Sequence, residues 1–413
     1  MTSPRHAAVL GGNRIPFARA NGPYATESNQ AMLTAAIDGL VARFSLQGER
    51  VDEVVAGAVL KHARDFNLTR EAVLGSQLAS TSPAYDIQQA CDTGLEAAVL
   101  VANKIALGQI DVGIAGGTDT ASDAPVGVNE DLRKVMMAAR RARTTGQRVR
   151  LVGRLRPGHI VPDIPRNAEP RTGLSMGEHA AITAKQWDVG REAQDELAAA
   201  SHQRLAAAYD RGFFDDLVTP YAGLERDQNL RPDSSVEKLA GLSPVFGDGD
   251  GTMTAGNSTP LSDGAAVVLL ASDEWAAAHN LPVLAHITHV QTAAVDYVNG
   301  EDGLLMAPVH AVPKLLEKAG LTLQDFDFYE IHEAFASQVL ATLAAWEKNG
   351  LGTIDRAKLN VNGSSLAAGH PFAATGGRIV ATLAKLLDEK GSGRGLISIC
   401  AAGGQGVVAV MEK

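Results

Sequence analysis

The same succession of signals occurs twice in this chain, once in its first third and once at its end. From Thr93-Gly94 an Ala-rich helical pattern runs to Leu107, and Asp111-Val112-Gly113-Ile114-Ala115 then reads as a buried strand stopping at Gly116-Gly117. From Thr375-Gly376 a second helical pattern runs through Leu387, and Leu396-Ile397-Ser398-Ile399-Cys400 reads as a buried strand stopping near Gly403-Gly404. A further apolar strand pattern precedes each unit, Val51 to Ala56 in one and Phe326 to Ile331 in the other. Strands alternating with helices of this length call for parallel βαβ units, so the expected architecture is α/β, with two similar halves packed together.

From about 122 to 246 the pattern changes. Residues 133–156 are rich in arginine, including Arg140, Arg141, Arg143, Arg148, Arg150 and Arg154; the Pro157-Gly158 turn follows, and a helix runs from Arg191 to about Tyr209. Strand pattern returns at Ala265 to Leu270. The chain therefore divides into 1–121, the first part of an N-terminal half; 122–246, an inserted loop domain; 247–275, the completion of that half; and 276–413, the C-terminal half. The run Gly247-Asp248-Gly249-Asp250-Gly251 resembles a nucleotide loop, but it carries two acids and has neither a strand before it nor a helix start after it, so phosphate cradling is not expected.

Length and composition narrow the function classes. A chain of 413 residues exceeds what one hydrophobic core organises, in line with two or three domains. A formal charge of −10 argues against general nucleic-acid affinity. The two cysteines lie far apart in sequence and form no disulfide framework, which points to a reducing compartment with free thiols. The apolar run Ala7 to Leu10 is too short for a signal-peptide core, and no stretch of about 18 uninterrupted apolar residues occurs, so a soluble cytoplasmic protein is expected.

Cys91 stands in Gln89-Ala90-Cys91-Asp92-Thr93-Gly94, where a turn hands over to a helix. Unpaired N–H groups and partial positive charge at a helix start favour thiolate over thiol, which suits a nucleophile; a buried structural cysteine is the other reading. Near the C-terminus, Gly369-His370-Pro371 offers a base or merely a turn histidine, and Cys400 offers a second thiol. The eleven histidines show no metal-ligand spacing with Cys or acid clusters, so no metal is expected.

Taken in order, Cys91 with Thr93-Gly94, the run Gly116 to Ser122, the run Gly251 to Asn257 with Asp263-Gly264-Ala265, His332-Glu333-Ala334-Phe335-Ala336, Gly369-His370-Pro371, and Cys400 with Gly403-Gly404-Gln405-Gly406 resemble the thiolase family over nearly the whole chain. The resemblance implies two βαβαβαββ halves in a five-layered α-β-α-β-α body with an inserted loop domain, and an acyltransferase that cleaves or forms 3-oxoacyl-CoA. It implies Cys91 as the nucleophile that becomes a thioester, His370 as the group taking its proton, and Cys400 as the acid that protonates the departing carbanion and later deprotonates CoA. A histidine suits the base because its ordinary pKa lies near working pH. It further implies that His370 and His332 face the thioester oxygen of acetyl-CoA, and that the backbone N–H groups of Cys91 and Ala402 face the acyl-enzyme oxygen. The commonest family pattern has Asn at His332, Glu at Asp119 and Gly at Ala402. With Gly-His-Pro-Phe and Gly256-Asn257-Ser258-Thr259-Pro260, these departures are similar to the branch of fatty-acid oxidation complex β-subunits.

By the same resemblance Arg231 and Phe246 meet the nucleotide and pantetheine regions of CoA, Met176 and Phe335 line the pantetheine tunnel, and Thr259 replaces a serine near the thiol end. Taken alone, an arginine is usually a solvated surface group and a Phe or Met usually core. CoA is expected as substrate, with no resident cofactor. Expected partners are acyl-CoA thioesters, further copies in a homodimer or homotetramer, a hydratase–dehydrogenase subunit and a peripheral membrane surface, with no transmembrane segment. The expected activity is degradative thiolysis in β-oxidation. The alternatives are a biosynthetic acetoacetyl-CoA thiolase, a ketoacyl-synthase-like condensing enzyme, against which the second thiol argues, and a lipid carrier or redox sensor.

Overall fold

A computed structural model describes residues 5–247 and 249–413; Asp248, in the run weighed above as a nucleotide loop, lies outside the described residues. The N-terminal half comprises β1 (Ala7–Arg14), β2 (Ala18–Arg19), α1 (Asn29–Phe44), β3 (Glu53–Ala56), α2 (Leu68–Gly75), β4 (Ala84–Asp86), α3 (Thr93–Ala106) and β5 (Val112–Thr120). An intervening segment follows, with α4 (Glu130–Arg141), α5 (Thr145–Val152), α6 (Met176–Gln186), α7 (Arg191–Asp210), α8 (Val236–Ala240), β6 (Pro244–Phe246) and β7 (Met253–Thr254). After β8 (Ser262–Ala271) and α9 (Asp273–Ala278), the C-terminal half comprises β9 (Ala285–Ala294), α10 (Ala307–Ala319), β10 (Phe328–Ile331), α11 (Ala336–Lys348), α12 (Ser365–Ala368), α13 (Thr375–Lys390), β11 (Arg394–Ala401) and β12 (Gln405–Glu412).

The strands follow the order β10-β11-β12-β9-β1-β8-β5-β3-β4, with β2 on β8. The expected parallel pairing holds for β3 with β4 and β5, and for β10 with β11. The closing strands β8 and β12 run antiparallel, and β1 meets β9 across Ala7–Val9, joining the halves. The C-terminal half departs from the expected repeat in one place. Where the N-terminal half has β4, it has a single parallel bridge from Leu359 to Tyr329, and the Asn360 side chain bonds the backbone of Ile331 in place of a ladder. The run at 247–251 differs too, since short β6 precedes it and β7 follows it as a two-stranded ribbon.

Helix chemistry sets the layers. In α3 and α13 small and apolar residues occur on nearly every face, and both helices are buried almost throughout, as a helix apolar all round must be. They form the middle layer, sharing one core with the inner faces of both halves of the sheet. There Leu95, Val101 and Ile105 are fully buried, each contributing about 1.5–3 kcal/mol. Helices α1 and α2 cover one outer face, and α10 and α11 cover the other, giving five layers. The repeated Thr-Gly pairs have a steric cause. A Cβ at Gly94 would lie 2.6 Å from the Ala373 carbonyl oxygen and one at Gly376 2.0 Å from Leu95 N, so the two helix starts meet backbone to backbone only because both are glycine. That crossing brings the loops before α3 and α13 together.

Candidate active site

Cys91 sits two residues ahead of α3 on a turn fixed from both sides. Ala90 adopts φ +47°, Thr93 Oγ1 donates to the Ala90 carbonyl at 2.7 Å, and Gln89 N–H donates to Thr93 Oγ1 at 2.9 Å. Left-handed backbone at a residue other than glycine is sparsely populated and persists where its surroundings hold it. His370 arrives from the loop before α13. Gly369 takes φ +101°, open to glycine, and His370 N–H donates to Ser262 Oγ at 3.0 Å. The result is a 3.1 Å contact between His370 Nε2 and Cys91 Sγ, with His370 Nδ1 2.6 Å from Thr375 Oγ1.

The His332 ring lies 4.2 Å from the His370 ring, centroid to centroid, with Nδ1 2.9 Å from Ser365 Oγ. One donor atom from each of Cys91, His332 and His370 lies within 4.8 Å of the other two, a spacing that could also hold a metal ion and that no spacing along the sequence reveals. Cys400 is buried at the end of β11, near enough to Cys91 that charge on one thiol opposes charge on the other. The β11–β12 turn carries two left-handed glycines, Gly403 at φ +81° and Gly404 at φ +72°, and the backbone N–H groups of Ala402 and Cys91 favour the Cys91 thiolate.

The electrostatics differ from the helix-start expectation. Burial, then the neighbouring Asp92 carboxyl, push the Cys91 thiol up to about 12; the N–H groups of Ala402 and Cys91 oppose this without overcoming it. Burial, and secondarily the Arg378 charge, bring His370 down to about 3. Burial, then His370 and Arg378, hold His332 well below the ordinary histidine value. The resting pair is therefore neutral thiol and neutral imidazole rather than an ion pair, and His370 lies well away from the near-neutral value read from its residue type.

Three of the five residues expected to meet CoA converge. Met176, Phe246 and Phe335 pack in one apolar cluster with Cys400, Leu304 and Leu305, and the Phe246 and Phe335 rings meet edge-on at 6.2 Å. Thr259 adjoins it, its Oγ1 donating to the Ala334 carbonyl at 2.9 Å. Arg231 stands outside this cluster, exposed, with its guanidinium donating to the carbonyls of Gln228 and Leu230. Asp119, shorter than the usual Glu, still accepts from the N–H groups of Val59, Leu60 and Ala373, and burial raises it to about 6.

Two family models match this chain, the N-terminal domain of thiolase over residues 7–274 and the C-terminal domain of thiolase over 281–413. The chain belongs to the thiolase family. It is thus an acyltransferase. A 3-ketoacyl-CoA thiolase of Yersinia pestis (strain Pestoides F) is 38% identical to this thiolase over 98% of the chain and 96% of the relative. Among solved structures, a Bacillus anthracis acetyl-CoA acetyltransferase superposes with TM-score 0.85 at 32% identity over 100% of both chains. A human mitochondrial 3-ketoacyl-CoA thiolase in complex with CoA superposes with TM-score 0.84 at 30% identity, over 99% of this chain and 98% of that one.

Several polar groups around the site were not marked as functional by the sequence. Glu169 reaches in from the intervening segment, accepting from Gly403 N–H at 2.8 Å and from the Tyr297 hydroxyl at 2.8 Å. Ser365, Thr375 and Arg378 stand behind the two histidines. Only their meeting in space marks them, because serine, threonine and arginine are common on helices and at helix starts.

Proposed function

We propose that this thiolase works degradatively, cleaving 3-oxoacyl-CoA with CoA to give acetyl-CoA and a shortened acyl-CoA. The observation that carries the reading is the meeting of Cys91 with His370 at 3.1 Å, beside a second buried thiol and a cluster of Met176, Phe246 and Phe335. Cleavage between Cα and Cβ needs a nucleophile at C3, stabilisation of the oxyanion and a proton for the leaving carbanion. Cys91 Sγ attacks C3 while its proton moves to His370 Nε2, so the thiolate forms as the C–S bond forms and the neutral resting pair is consistent with the step. The C3 oxyanion is received by the N–H groups of Cys91 and Ala402, one such donor ordinarily being worth about 10²–10³ in rate. The C2–C3 bond then breaks, leaving acyl-Cys91, and the acetyl-CoA carbanion takes its proton from Cys400. His332 and His370 hold the thioester oxygen of that fragment. CoA, deprotonated through Cys400, attacks the thioester; the acyl C–S bond to Cys91 breaks, the shortened acyl-CoA is released, and the Cys91 thiolate takes back the proton held on His370.

CoA is a substrate in this scheme and no resident cofactor takes part. Met176, Phe246, Phe335 and Thr259 accommodate the pantetheine arm; Arg231 reaches the nucleotide end from the surface, where its planar fork suits phosphate. The proposed setting is cytoplasmic, as a homodimer or homotetramer able to join a hydratase–dehydrogenase subunit at a membrane surface. Among the described residues no helix is long and apolar enough to cross a membrane.

Incubation with a 3-oxoacyl-CoA in the absence of free CoA is expected to leave an acyl mass on the Cys91 peptide, and Cys91→Ala to abolish label and turnover. Label on Cys400 alone would overturn the assignment. The likeness to an acetyl-CoA acetyltransferase supports a second reading, condensation of two acetyl-CoA. A kcat/KM series over 3-oxoacyl chain length separates the two: rising values beyond four carbons support degradation, and a sharp maximum at acetoacetyl-CoA supports synthesis.

A further inference from the structure

The two histidines of the site are backed by hydroxyl groups in opposite hydrogen-bonding situations. Thr375 Oγ1 lies 3.2 Å from the Pro371 carbonyl oxygen, which only accepts. With its hydrogen on that carbonyl, it accepts from His370 Nδ1–H at 2.6 Å and leaves His370 Nε2 with a lone pair facing Cys91 Sγ, the tautomer that a base toward Cys91 requires. Ser365 Oγ has a different neighbour. Arg378 Nη2, which only donates, lies 3.0 Å from it and 3.2 Å from Ser364 Oγ. With one lone pair engaged by the guanidinium, the Ser365 hydrogen has one acceptor within hydrogen-bond distance among the described residues, His332 Nδ1 at 2.9 Å.

We infer that Arg378 and Ser365 are positioning residues that hold His332 as its Nε2–H tautomer, so that the site presents one imidazole as proton acceptor and the other as hydrogen-bond donor. The opposite tautomer would place two donors on Ser365 Oγ and strand its O–H in a buried site, leaving the desolvation of that group uncompensated. The donated guanidinium hydrogen also polarises the serine O–H toward His332. His332 Nε2 is buried and has no protein partner, while the ring lies against His370. A buried N–H with no protein acceptor is placed to receive an acceptor from the substrate. The inference rests on the proposed mechanism only in taking that acceptor to be the thioester oxygen. It goes beyond that mechanism in assigning how this chain, with histidine where asparagine is usual, supplies a donor in a fixed protonation state.

The test reads the tautomers directly. In two-bond proton–nitrogen correlation spectra of full-length protein labelled with ¹⁵N-histidine, His332 and His370 are assigned by the signals lost in His332→Asn and His370→Asn. His332 is expected to show a bare Nδ1 and protonated Nε2, and His370 the reverse. Ser365→Ala, which removes only a hydroxyl, is expected to turn the His332 pattern into a mixture of both tautomers, and Ser365→Thr to restore it. Arg378→Gln is expected to give the same mixture, with thermal unfolding checked alongside, and Ser365→Ala remains decisive if that variant fails to fold. In thiolysis of acetoacetyl-CoA, Ser365→Ala is expected to lower kcat by about 10–100-fold, up to the loss of one oxyanion donor, with little change in KM. Adding it to His332→Asn should change nothing further. A protonated Nδ1 on wild-type His332, or a pattern unmoved by Ser365→Ala, overturns the inference whatever the activity. The expected tautomers with kcat untouched in Ser365→Ala would uphold it and overturn instead the placement of His332 on the substrate oxygen.

Discussion

Cys91 is held between opposing influences: its own N–H and that of Ala402 favour the thiolate, while burial and Asp92 disfavour it, and burial prevails with a pKa of about 12. Alkylation by iodoacetamide is accordingly expected to keep accelerating through pH 8.5–10 without the plateau of an ordinary thiol, and His370→Ala to slow it at neutral pH by removing the acceptor for the thiol proton. A plateau below pH 8 would show a resting ion pair. The same burial makes the histidines sensors of acid. An unfolded histidine protonates near 6.5, whereas His370 does so at about 3, so between those values the unfolded chain binds the extra proton. This contribution is fully present above pH 6.5 and is lost as pH falls towards 3, at up to about 1.4 kcal/mol per pH unit for each such histidine. Denaturant titrations between pH 7 and 4.5 should show a shallower decline in His332→Asn, because His332 is shifted in the same direction. Cys91, His370 and Cys400 were legible as chemistry because each sits in a local turn pattern of small residues. Ser365 and Thr375 were not, since a hydroxyl becomes informative only when its other neighbour, a guanidinium or a carbonyl, is known.

At the level of elements, the α3–α13 crossing shows why a repeat in the sequence is also a repeat in space. Each Thr-Gly opens a helix whose first turn must touch the other's backbone, and that requirement places the Cys91 and His370 loops side by side. In the two halves, α3, α13, β3, β5, β8, β10 and β11 were readable from apolar periodicity. Leu359 was not, because a single bridge leaves no period to detect. The α7 helix of the intervening segment packs against the C-terminal half, where Ser201 Oγ donates to Glu333 at 2.7 Å and accepts from Ser364 N–H at 3.0 Å. The same segment supports the β11–β12 turn through Glu169. Its carboxylate holds the Gly403 N–H, one peptide beyond the Ala402 N–H that favours the Cys91 thiolate, and the Tyr297 hydroxyl. Glu169→Ala is expected to cost about 1–3 kcal/mol of stability by leaving these donors unpaired. It should also slow acylation of Cys91 by about tenfold, a fraction of the loss of a whole oxyanion donor. Glu169→Gln, which can still accept through one oxygen, should fall between the two. Stopped-flow acylation with denaturant titration measures both effects, and an unaltered acylation rate in Glu169→Ala would reduce Glu169 to a structural tie.

Viewed as a whole molecule, the chain carries a formal charge of −10 but gathers arginines in α4, α5 and the turn after them. Neither helix has a buried residue. Apolar side chains share the segment with the arginines and lie open to solvent, with Met136 at 55%, Val149 at 65% and Ile160 at 67% exposure. A solvated helix would ordinarily carry polar groups at such positions. Exposed apolar groups interspersed with arginine are the composition of an interfacial helix, whose binding combines apolar burial with attraction to anionic headgroups. The arginines are separate from the Cys91 cluster in sequence, so binding and chemistry should part under mutation. Sedimentation with vesicles containing phosphatidylserine is expected to retain the protein at low ionic strength and release it as salt shortens the range of the attraction; neutral vesicles should retain much less. Replacing Arg140, Arg141 and Arg143 together with glutamine should weaken retention while leaving acyl labelling of Cys91 intact. Met136→Ser with Val149→Ser should weaken it in a manner that salt does not mimic, because that part of the binding is apolar. If anionic vesicles retain neither wild type nor variant, while the arginine variant raises KM for CoA substrates at low ionic strength, the segment attracts the polyanionic substrate and the membrane assignment falls.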